Sequence, residues 1–508
     1  MKPAQNWSRW RRVRQIVQLL AFALYIYLLF AALQRRVAFG LADLFFRLDP
    51  LAALVSMIAV QEWIPRLALA LVTLALTLLL GRVWCGWLCP LGTLLEWVHL
   101  RSAARYALSI SPRWRGVKNG LLILTLVAAL FGNLTLLVFD PITIFTRTMT
   151  VAVLPALNGA ITAAERFVYP LPLFRPLVDG LERILRGPVL PVKQPLFALN
   201  LLIAALLAGL LALNALADRF WCRYLCPLGA LLGWLSKISL LRPIVGPACN
   251  RCGVCAGACR LEAIDSTQGY QVMAGECTVC LDCLAACPTD GIGWRAWNPE
   301  KWRWGWRPDP RRPFDPTRRQ VLAGLITGAA GVALLNSDAQ SRQPDLHLVR
   351  PPGVTDEDAF LAVCIRCSQC MKVCPTAGLQ PALFEAGARA MWTPHLVPRL
   401  GECDYGCNAC GQVCPSGAIP NLRLDIKRLT KMGMAVVNRD RCWPWAYGIP
   451  CIVCEEMCPV SDKAIHLDID PQTGLQKPVV DSALCIGCGI CEQQCPVEGE
   501  AAIRVVRG

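Results

Sequence analysis

The clearest chemical signal in this sequence is the spacing of its cysteines. The chain has 508 residues and 28 cysteines, and all but four of the cysteines fall into six groups of four. Four groups show the spacing Cys-x2-Cys-x2-Cys-x3-Cys, and two are variants of it. The regular groups are Cys249, Cys252, Cys255 and Cys259; Cys277, Cys280, Cys283 and Cys287; Cys364, Cys367, Cys370 and Cys374; and Cys485, Cys488, Cys491 and Cys495. The variants are Cys403, Cys407, Cys410 and Cys414; and Cys442, Cys451, Cys454 and Cys458.

This spacing is typical of [4Fe–4S] clusters. Three thiolates on a tight loop can each reach a different iron of one cluster, and the fourth cysteine points to the neighbouring cluster. Structural zinc instead takes two short cysteine pairs separated by a spacer, and tandem repeats of this kind have no disulfide rationale. The sequence therefore predicts six [4Fe–4S] clusters, with these cysteines as the iron ligands.

The fourth cysteine of each group also predicts which groups form pairs. In the first pair, Cys259 and Cys287 should be exchanged between the two clusters. For the last four groups the order is open. Because the two regular groups are outermost, we favour nested pairing, in which the group at 364–374 pairs with the group at 485–495.

The four remaining cysteines belong to an internal repeat. Residues 84–92 have the sequence WCGWLCPLG and residues 221–229 have the sequence WCRYLCPLG. Two parallel copies imply a pseudo-two-fold axis along a membrane normal, as in other duplicated membrane proteins, and this axis would bring the four thiols together. They are candidates for an extra metal site or a redox-active thiol set, and the alternative is small apolar packing. The four are Cys85, Cys89, Cys222 and Cys226.

An Asp-Pro pair precedes each copy of this repeat. The pairs are Asp49-Pro50 and Asp140-Pro141. Carboxylates within a membrane usually mark function, so Asp49 and Asp140 are candidate catalytic proton acceptors. The alternative is that each aspartate caps a helix whose first residue is the proline.

Hydropathy predicts the elements that position these groups. The chain is 55% hydrophobic and only 17% charged, whereas about a quarter is usual for a soluble protein. We expect a polytopic α-helical membrane domain with four strong transmembrane helices in two repeats, at about 16–34, 64–83, 119–139 and 196–217. A fifth, weaker transmembrane helix should follow near 318–340, and the cysteine groups should form bacterial-ferredoxin-like α+β domains.

The domain boundaries follow from these patterns. We expect a four-helix membrane domain at 1–240, a cytoplasmic two-cluster ferredoxin domain at 241–293 and a Trp/Arg-rich linker at 294–317. A membrane anchor at 318–340 and a periplasmic four-cluster domain at 341–508 complete the chain.

The predicted sidedness comes from basic residues. The amino terminus is rich in arginine, which favours the cytoplasmic side. Arg318 and Arg319 precede a weakly hydrophobic run, which resembles a twin-arginine export signal. An ordinary fifth transmembrane helix would give the same topology, whereas a cytoplasmic surface helix would reverse it. We expect a multi-pass protein of the bacterial inner membrane.

Two families resemble successive parts of the chain. Residues 1–300 resemble the NapH/MauN membrane family through the doubled Trp-Cys-x3-Cys-Pro-Leu-Gly motif and the two cluster loops after it. Residues 310–508 resemble the NapG/MauM periplasmic family through the twin arginine, the sequence LVRPPG at 348–353 and four cluster loops. The chain thus resembles a natural fusion of the two. One departure is Arg260, which stands where a proline usually follows the fourth cysteine.

The resemblance implies a quinol dehydrogenase. Such a protein passes electrons from the membrane quinone pool to a periplasmic reductase or cytochrome, and iron–sulfur clusters, as one-electron centres, can divide the two electrons of quinol. The competing hypothesis is an assembly or metal-handling accessory protein that reduces copper with Cys85, Cys89, Cys222 and Cys226. The formal net charge of +15 does not require nucleic acid, because a cluster with four thiolates carries about −2 when oxidised and six clusters offset most of it.

Overall fold

The structure is a computed structural model. It describes residues 4–33, 39–98, 112–186, 191, 195–266, 269–296, 326, 328–331, 333 and 345–507. The chain divides into two compact units. The first comprises Met1–Leu28, Leu44–Phe145 and Ala205–Val332, and the second comprises Leu29–Asp43, Thr146–Ala204 and Ala333–Gly508.

The first half of the chain is helical. Its helical segments are Ala4–Leu33, Phe39–Ala42, Leu44–Arg47, Pro50–Val60, Pro65–Leu67, Ala70–Leu80, Trp84–Leu88, Pro90–Trp97, Pro112–Arg115, Gly116–Leu130, Thr135–Phe139, Pro141–Thr148, Met149–Val153, Leu154–Val168, Pro172–Phe174, Arg175–Leu185, Asn200–Ala212, Leu213–Ala215, Trp221–Leu225 and Pro227–Ser236. Several begin with proline directly after an N-cap residue, because proline has no backbone N–H to leave unsatisfied at the first helical position.

The prediction of four strong transmembrane helices is wrong. Among the described residues, two helices are long and apolar enough to cross a membrane, namely Trp7–Leu33 with 27 residues and Pro141–Val168 with 28 residues. The runs predicted at 64–83, 119–139 and 196–217 overlap the shorter helices Pro65–Leu80, Gly116–Leu130 and Asn200–Ala215.

Backbone conformation explains the difference. A hydropathy window measures apolar content and does not detect the residue at which a helix stops. Gly81 has a φ of 79° and Gly132 a φ of 66°, a region that favours glycine and commonly ends helices. The second long helix begins at Pro141, between the runs predicted at 119–139 and 196–217, in a segment whose mixed charge, including Glu165, favours a loop over a membrane span.

The first unit contains one ferredoxin-like domain. Its strands Leu241–Val245 and Ile292–Ala296 pair antiparallel, as do Ile264–Asp265 and Gln271–Val272. Two short helices, Val254–Ala258 and Asp282–Ala286, each start inside a cysteine group. The predicted linker lies outside the described residues from residue 297 onward, as does the predicted anchor at 318–340 except for residues 326, 328–331 and 333.

The second unit contains the other cysteine groups. The antiparallel strand pairs are Leu379–Pro381 with Pro394–Leu396, Met434–Val437 with Ile503–Val506, and Ile465–Ile469 with Gln476–Val480. The helical segments are Glu357–Val363, Gln369–Val373, Ala388–Ala390, Ala409–Gln412, Leu424–Leu429, Trp443–Tyr447, Val453–Glu456 and Ile490–Gln494. Small two-stranded sheets with short helices that start in cysteine loops are the α+β arrangement expected for the cluster domains.

Candidate electron-transfer centres

The second cysteine group of the first unit lines a cavity with one cysteine from the first group. The cavity is bordered by Cys277, Cys280 and Cys283, and the fourth cysteine is Cys259. On the other side of the pair, the Cys255 thiol interacts electrostatically with Cys249 and Cys287. This arrangement agrees with the predicted exchange of Cys259 and Cys287.

In the second unit, consecutive groups pair. One cavity is lined by Cys374 together with Cys403, Cys407 and Cys410, and Cys414 interacts with all three of the cysteines at 364–370. The last two groups are exchanged in the same way. One cavity joins Cys495 to Cys442, Cys451 and Cys454, and another joins Cys458 to Cys485, Cys488 and Cys491.

The prediction of nested pairing is therefore wrong. The variant spacings alter the loop around each thiol but do not decide which group lies beside it. Neighbouring groups are separated by short segments, so pairing them closes shorter loops and costs less chain entropy.

A test with two double variants can check this pairing. Under consecutive pairing, Cys374 and Cys407 face the same cavity, so Cys374→Ser with Cys407→Ser should remove one cluster, or about four iron atoms. Nested pairing places the same two cysteines in different clusters and predicts a loss of about eight iron atoms. The control variant, Cys367→Ser with Cys407→Ser, should lose about eight under either pairing. Iron analysis of the purified full chain distinguishes these outcomes.

The backbone of the regular groups is shaped to hold an anion. The residue before and the residue after the second cysteine both have positive φ in all four regular groups. The residues are Arg251 and Gly253, Val279 and Leu281, Arg366 and Ser368, and Gly487 and Gly489. Alternating right- and left-handed residues direct successive backbone N–H groups into one concavity, which favours anions such as an iron–sulfur cluster.

The pKa values of the thiols and the cations near them are also consistent with a bound metal cluster. Burial raises the pKa of Cys277 to about 11 and that of Cys403 to about 12. Bound iron would deprotonate such thiols. Buried cations lie nearby, since Lys427 donates to the Asp404 carbonyl at 2.6 Å and Arg366 donates to the Cys364 carbonyl at 2.9 Å. Part of the positive charge of the chain therefore lies beside the cysteine groups, where the negative charge of bound clusters would offset it.

The two predicted proton acceptors lie together in the first unit. Asp49 and Asp140 are both fully buried and lie within hydrogen-bond reach of each other. One oxygen of Asp49 accepts from the Leu51 N–H at 2.9 Å, and one oxygen of Asp140 accepts from the Thr143 N–H at 2.8 Å. Both residues therefore cap helices, as the alternative interpretation predicted.

Capping uses only half of each carboxyl group. Asp49 Oδ2 and Asp140 Oδ1 are buried, and no donor in the described part of the chain bonds to either oxygen. Burial, and then the charge of Asp140, raise the pKa of Asp49, because two carboxylates cannot both ionise at close range in a low dielectric. The arrangement suits a pair that holds one proton.

The four cysteines of the internal repeat also come together in the first unit. The thiol of Cys226 interacts electrostatically with those of Cys222, Cys85 and Cys89, and all four are buried. Sequence analysis missed the arginines beside them. Arg82 and Arg219 each stand two residues before the tryptophan of one copy, so extending the comparison of the two copies by two residues would have found them.

A buried carboxylate, Glu96, was also missed. It accepts hydrogen bonds from Arg14 at 2.8 and 2.9 Å and from Arg219 at 2.5 Å. Although burial opposes ionisation, these guanidinium groups lower the pKa of Glu96 to about 2. Arg260, which departs from the family pattern, lies 3.5 Å from Glu96 and 3.6 Å from Asp282, so it joins this cluster of charges to the ferredoxin-like domain.

Cysteine-lined cavities in small α+β domains define an iron–sulfur electron-transfer protein of the ferredoxin type. Family models agree with this class. A model described as a 4Fe-4S binding domain matches residues 63–106 and 199–246, a 4Fe-4S dicluster domain matches 363–419, and another 4Fe-4S binding domain matches 478–499. The dicluster match covers the two groups at 364–414, in agreement with consecutive pairing.

Curated relatives define the family more closely. The methylamine utilization ferredoxin-type protein MauM of Methylorubrum extorquens is 38% identical over 210 residues, which cover 38% of this chain and 91% of that protein. The ferredoxin-type protein NapG of Escherichia coli is 36% identical over 184 residues, which cover 34% of this chain and 77% of that protein. The chain belongs to this family of MauM and NapG ferredoxin-type proteins.

A third relative shares a larger part of this chain. The putative electron transport protein YccM of Escherichia coli is 30% identical over 225 residues, which cover 42% of this chain and 51% of that protein. No solved structure matches the chain.

Proposed function

We propose that this protein is a membrane-bound quinol dehydrogenase that passes electrons through six [4Fe–4S] clusters to a periplasmic reductase or cytochrome. The observation that carries the proposal is the Asp49–Asp140 pair, because it places a buried proton acceptor in the same unit as a cluster-binding domain. Family membership supports iron–sulfur electron transfer, and the quinol step is the part that needs testing.

The cysteine loops would hold the clusters, and the two aspartates would accept a proton. When bound, the clusters supply one-electron acceptors whose potentials the protein tunes. The cysteine thiolates hold them, and the left-handed residues around each second cysteine aim backbone N–H groups at them. Quinol releases two protons with its two electrons. The Asp49–Asp140 pair, which holds one proton, can accept a hydrogen bond from one quinol hydroxyl and take one more proton, and the second proton leaves to water.

We propose further that the protein is anchored in the bacterial inner membrane, that the two long apolar helices contribute to this anchor, and that the hydrophobic run after Arg319 crosses the membrane once more. The first cluster domain would face the cytoplasm and the domain after residue 341 would face the periplasm. The arginine-rich amino terminus supports this assignment, as does the arginine pair at 318–319, which lies outside the described residues. Mobile quinol would then reach both groups of clusters from within the bilayer.

Exchange of the arginine pair tests the periplasmic location. Replacing Arg318 and Arg319 with lysine should leave the last domain in the cytoplasm, because the export machinery recognises the guanidinium pair. In wild-type spheroplasts, added protease should cleave beyond residue 350, and in the variant it should not. Arg311 and Arg312, a nearby pair with no hydrophobic run directly after it, provide the control, and changing them to lysine should have no effect. Protection of residues beyond 350 in wild-type spheroplasts would contradict the assignment.

The competing proposal is a copper-reducing accessory protein. Among the described residues, no three potential ligands are gathered around a single ion, so no observation favours a one-copper site at the four repeat cysteines. Anaerobic addition of quinol to the purified protein separates the two proposals. Loss of visible cluster absorbance on addition of quinol supports the dehydrogenase. If cuprous ions bind tightly and quinol leaves the clusters oxidised, the accessory role replaces it.

A further inference from the structure

The four repeat cysteines form a single group of buried thiols. In each copy a short π-helical turn, Trp84–Leu88 or Trp221–Leu225, contains the first cysteine and ends directly before the second. Cys89 and Cys226 both interact electrostatically with Cys85 and Cys222, which belong to the two different copies. The duplication therefore assembles one four-thiol site rather than two independent pairs.

The second cysteine of each copy has the conformation of a cluster ligand. Cys89 has φ and ψ of −67° and 118°, and Cys226 has −74° and 110°. The fourth cysteines of the ferredoxin groups are close to this, with −72° and 119° at Cys287 and −69° and 114° at Cys374. All four are followed by proline. The repeat thus presents its thiols on the backbone turn that the ferredoxin groups use for their exchanged ligand.

Backbone N–H groups approach the sulfurs as they do in the ferredoxin groups. Cys89 Sγ accepts from the Gly92 N–H at 3.4 Å, and Cys226 Sγ accepts from the Gly229 N–H at 3.2 Å. In the first ferredoxin-like domain, Cys259 Sγ accepts from the Ala263 N–H at 3.2 Å. Such bonds stabilise negative charge on sulfur, whether as thiolate or as a cluster ligand.

Buried positive charge surrounds the site. Arg82 is 1% exposed and interacts with Cys85, Cys222 and Cys226. Arg219, at the equivalent position of the second copy, interacts with Cys222. Each of these cations has a carboxylate partner as well, since Arg82 lies 3.8 Å from Glu276 and Arg219 lies 2.5 Å from Glu96. A cluster held by four thiolates would be a further anion beside them.

The site adjoins both the carboxyl pair and the first ferredoxin-like domain. Asp140 is close enough to interact with Cys89, and Arg82 interacts with Cys277. Trp87 Nε1 donates to the Val279 carbonyl at 2.9 Å. Val279 lies between Cys277 and Cys280, so the turn that carries Cys85 and Cys89 packs directly on a cluster loop.

We propose that Cys85, Cys89, Cys222 and Cys226 together ligate a seventh cluster, of the [4Fe–4S] type. The matched 4Fe-4S binding model covers both copies of the repeat, which agrees with an iron–sulfur cluster at these thiols. The site would take one electron at a time and pass it to the cluster held by Cys259, Cys277, Cys280 and Cys283. The electron-transfer role rests on the proposed quinol oxidation. The presence of the cluster is independent of it.

Iron and acid-labile sulfide analysis of the full chain, purified anaerobically in detergent, tests the proposal. The wild type should contain about 28 iron atoms, and Cys85→Ser, Cys222→Ser and the double variant should each contain about 24. Equal loss in the single and double variants identifies one site shared by both copies. Retention of about 24 iron atoms also shows that the ferredoxin-like domains are folded.

Two results would overturn the proposal. One is a wild-type iron content in the double variant, which would make the four cysteines packing residues. The other is a loss of bound copper or zinc in place of iron.

If the serine variants fail to fold, Arg82→Gln offers a second measurement, because it keeps all four thiols. Because Arg82 also interacts with Cys277, removing this cation should lower the potentials of two clusters in an EPR-monitored titration while the iron content stays unchanged. A shift in one cluster alone, or in none, would contradict the site. Neither readout depends on quinol, so failure of the quinol proposal leaves both readouts interpretable.

Discussion

Asp140→Asn should slow quinol-driven reduction of the clusters by about 10²–10⁴-fold, the usual contribution of a general base. Asparagine has nearly the same size and is nearly as good an N-cap as aspartate, so the helix that begins at Pro141 should persist. The change removes the carboxylate that lies within hydrogen-bond reach of Asp49. Stopped-flow absorbance after anaerobic mixing with quinol measures the rate.

Two controls separate proton transfer from structural damage. Dithionite should reduce the clusters of the variant as it does those of the wild type, because it needs no proton acceptor. Asp356 caps the helix Glu357–Val363 through the N–H groups of Asp358 and Ala359. Like Asp140 it is an aspartate N-cap, but it is not part of the Asp49–Asp140 pair. Asp356→Asn should therefore leave the quinol rate unchanged. A wild-type rate in Asp140→Asn would remove this residue from the mechanism.

The cysteine groups could be predicted from the sequence because ligand spacing is a local property. A loop that must place three thiols around one cluster needs two residues between them, and this requirement is visible in the chain itself. The backbone that completes the loop is not visible in the same way. Val279 has a φ of 57° and Leu281 a φ of 65°, which side chains of these types rarely adopt, so nothing in their identity predicts a left-handed residue.

Pairing order and membrane spans could not be predicted, because both depend on more than local pattern. The exchange of Cys374 and Cys414 follows from the packing of neighbouring loops. The length of a helix follows from where its backbone breaks, as at Gly81. The repeat identified Asp49 and Asp140 as equivalent residues, but their direct pairing depends on how closely the two copies pack.

Charged groups in the interior of the first unit were the least predictable feature. Glu96 and Arg14 lie far apart in sequence and belong to no motif, whereas Arg219 could be found by extending the repeat by two residues. The other visible signal was Arg260, a departure from the usual proline, and its two carboxylate neighbours give that departure a structural reason. An unexpected charge beside a cluster motif is thus a useful indication of a buried ionic partner.

Glu96→Gln should lower the free energy of unfolding by about 3–5 kcal/mol, the usual cost of removing one partner from a buried ion pair. The amide can still accept one hydrogen bond, but it cannot neutralise Arg14 and Arg219, which are 0% and 3% exposed. Because Arg260 also loses a carboxylate, we expect the loop at Asp282 to loosen with it. Urea unfolding of the full chain in detergent, followed by tryptophan fluorescence, should show a lower midpoint.

A surface ion pair supplies the matched control. Glu500 pairs with Arg504, and their side chains are 56% and 33% exposed. Exposed pairs of this kind contribute about 0–1 kcal/mol, so Glu500→Gln should barely move the midpoint. A midpoint for Glu96→Gln as high as that of Glu500→Gln would mean that Arg14 and Arg219 do not depend on Glu96 for their charge balance. In that case Gln18, which donates to Glu96 at 2.9 Å, would become the next residue to test, since its amide oxygen can accept from Arg14.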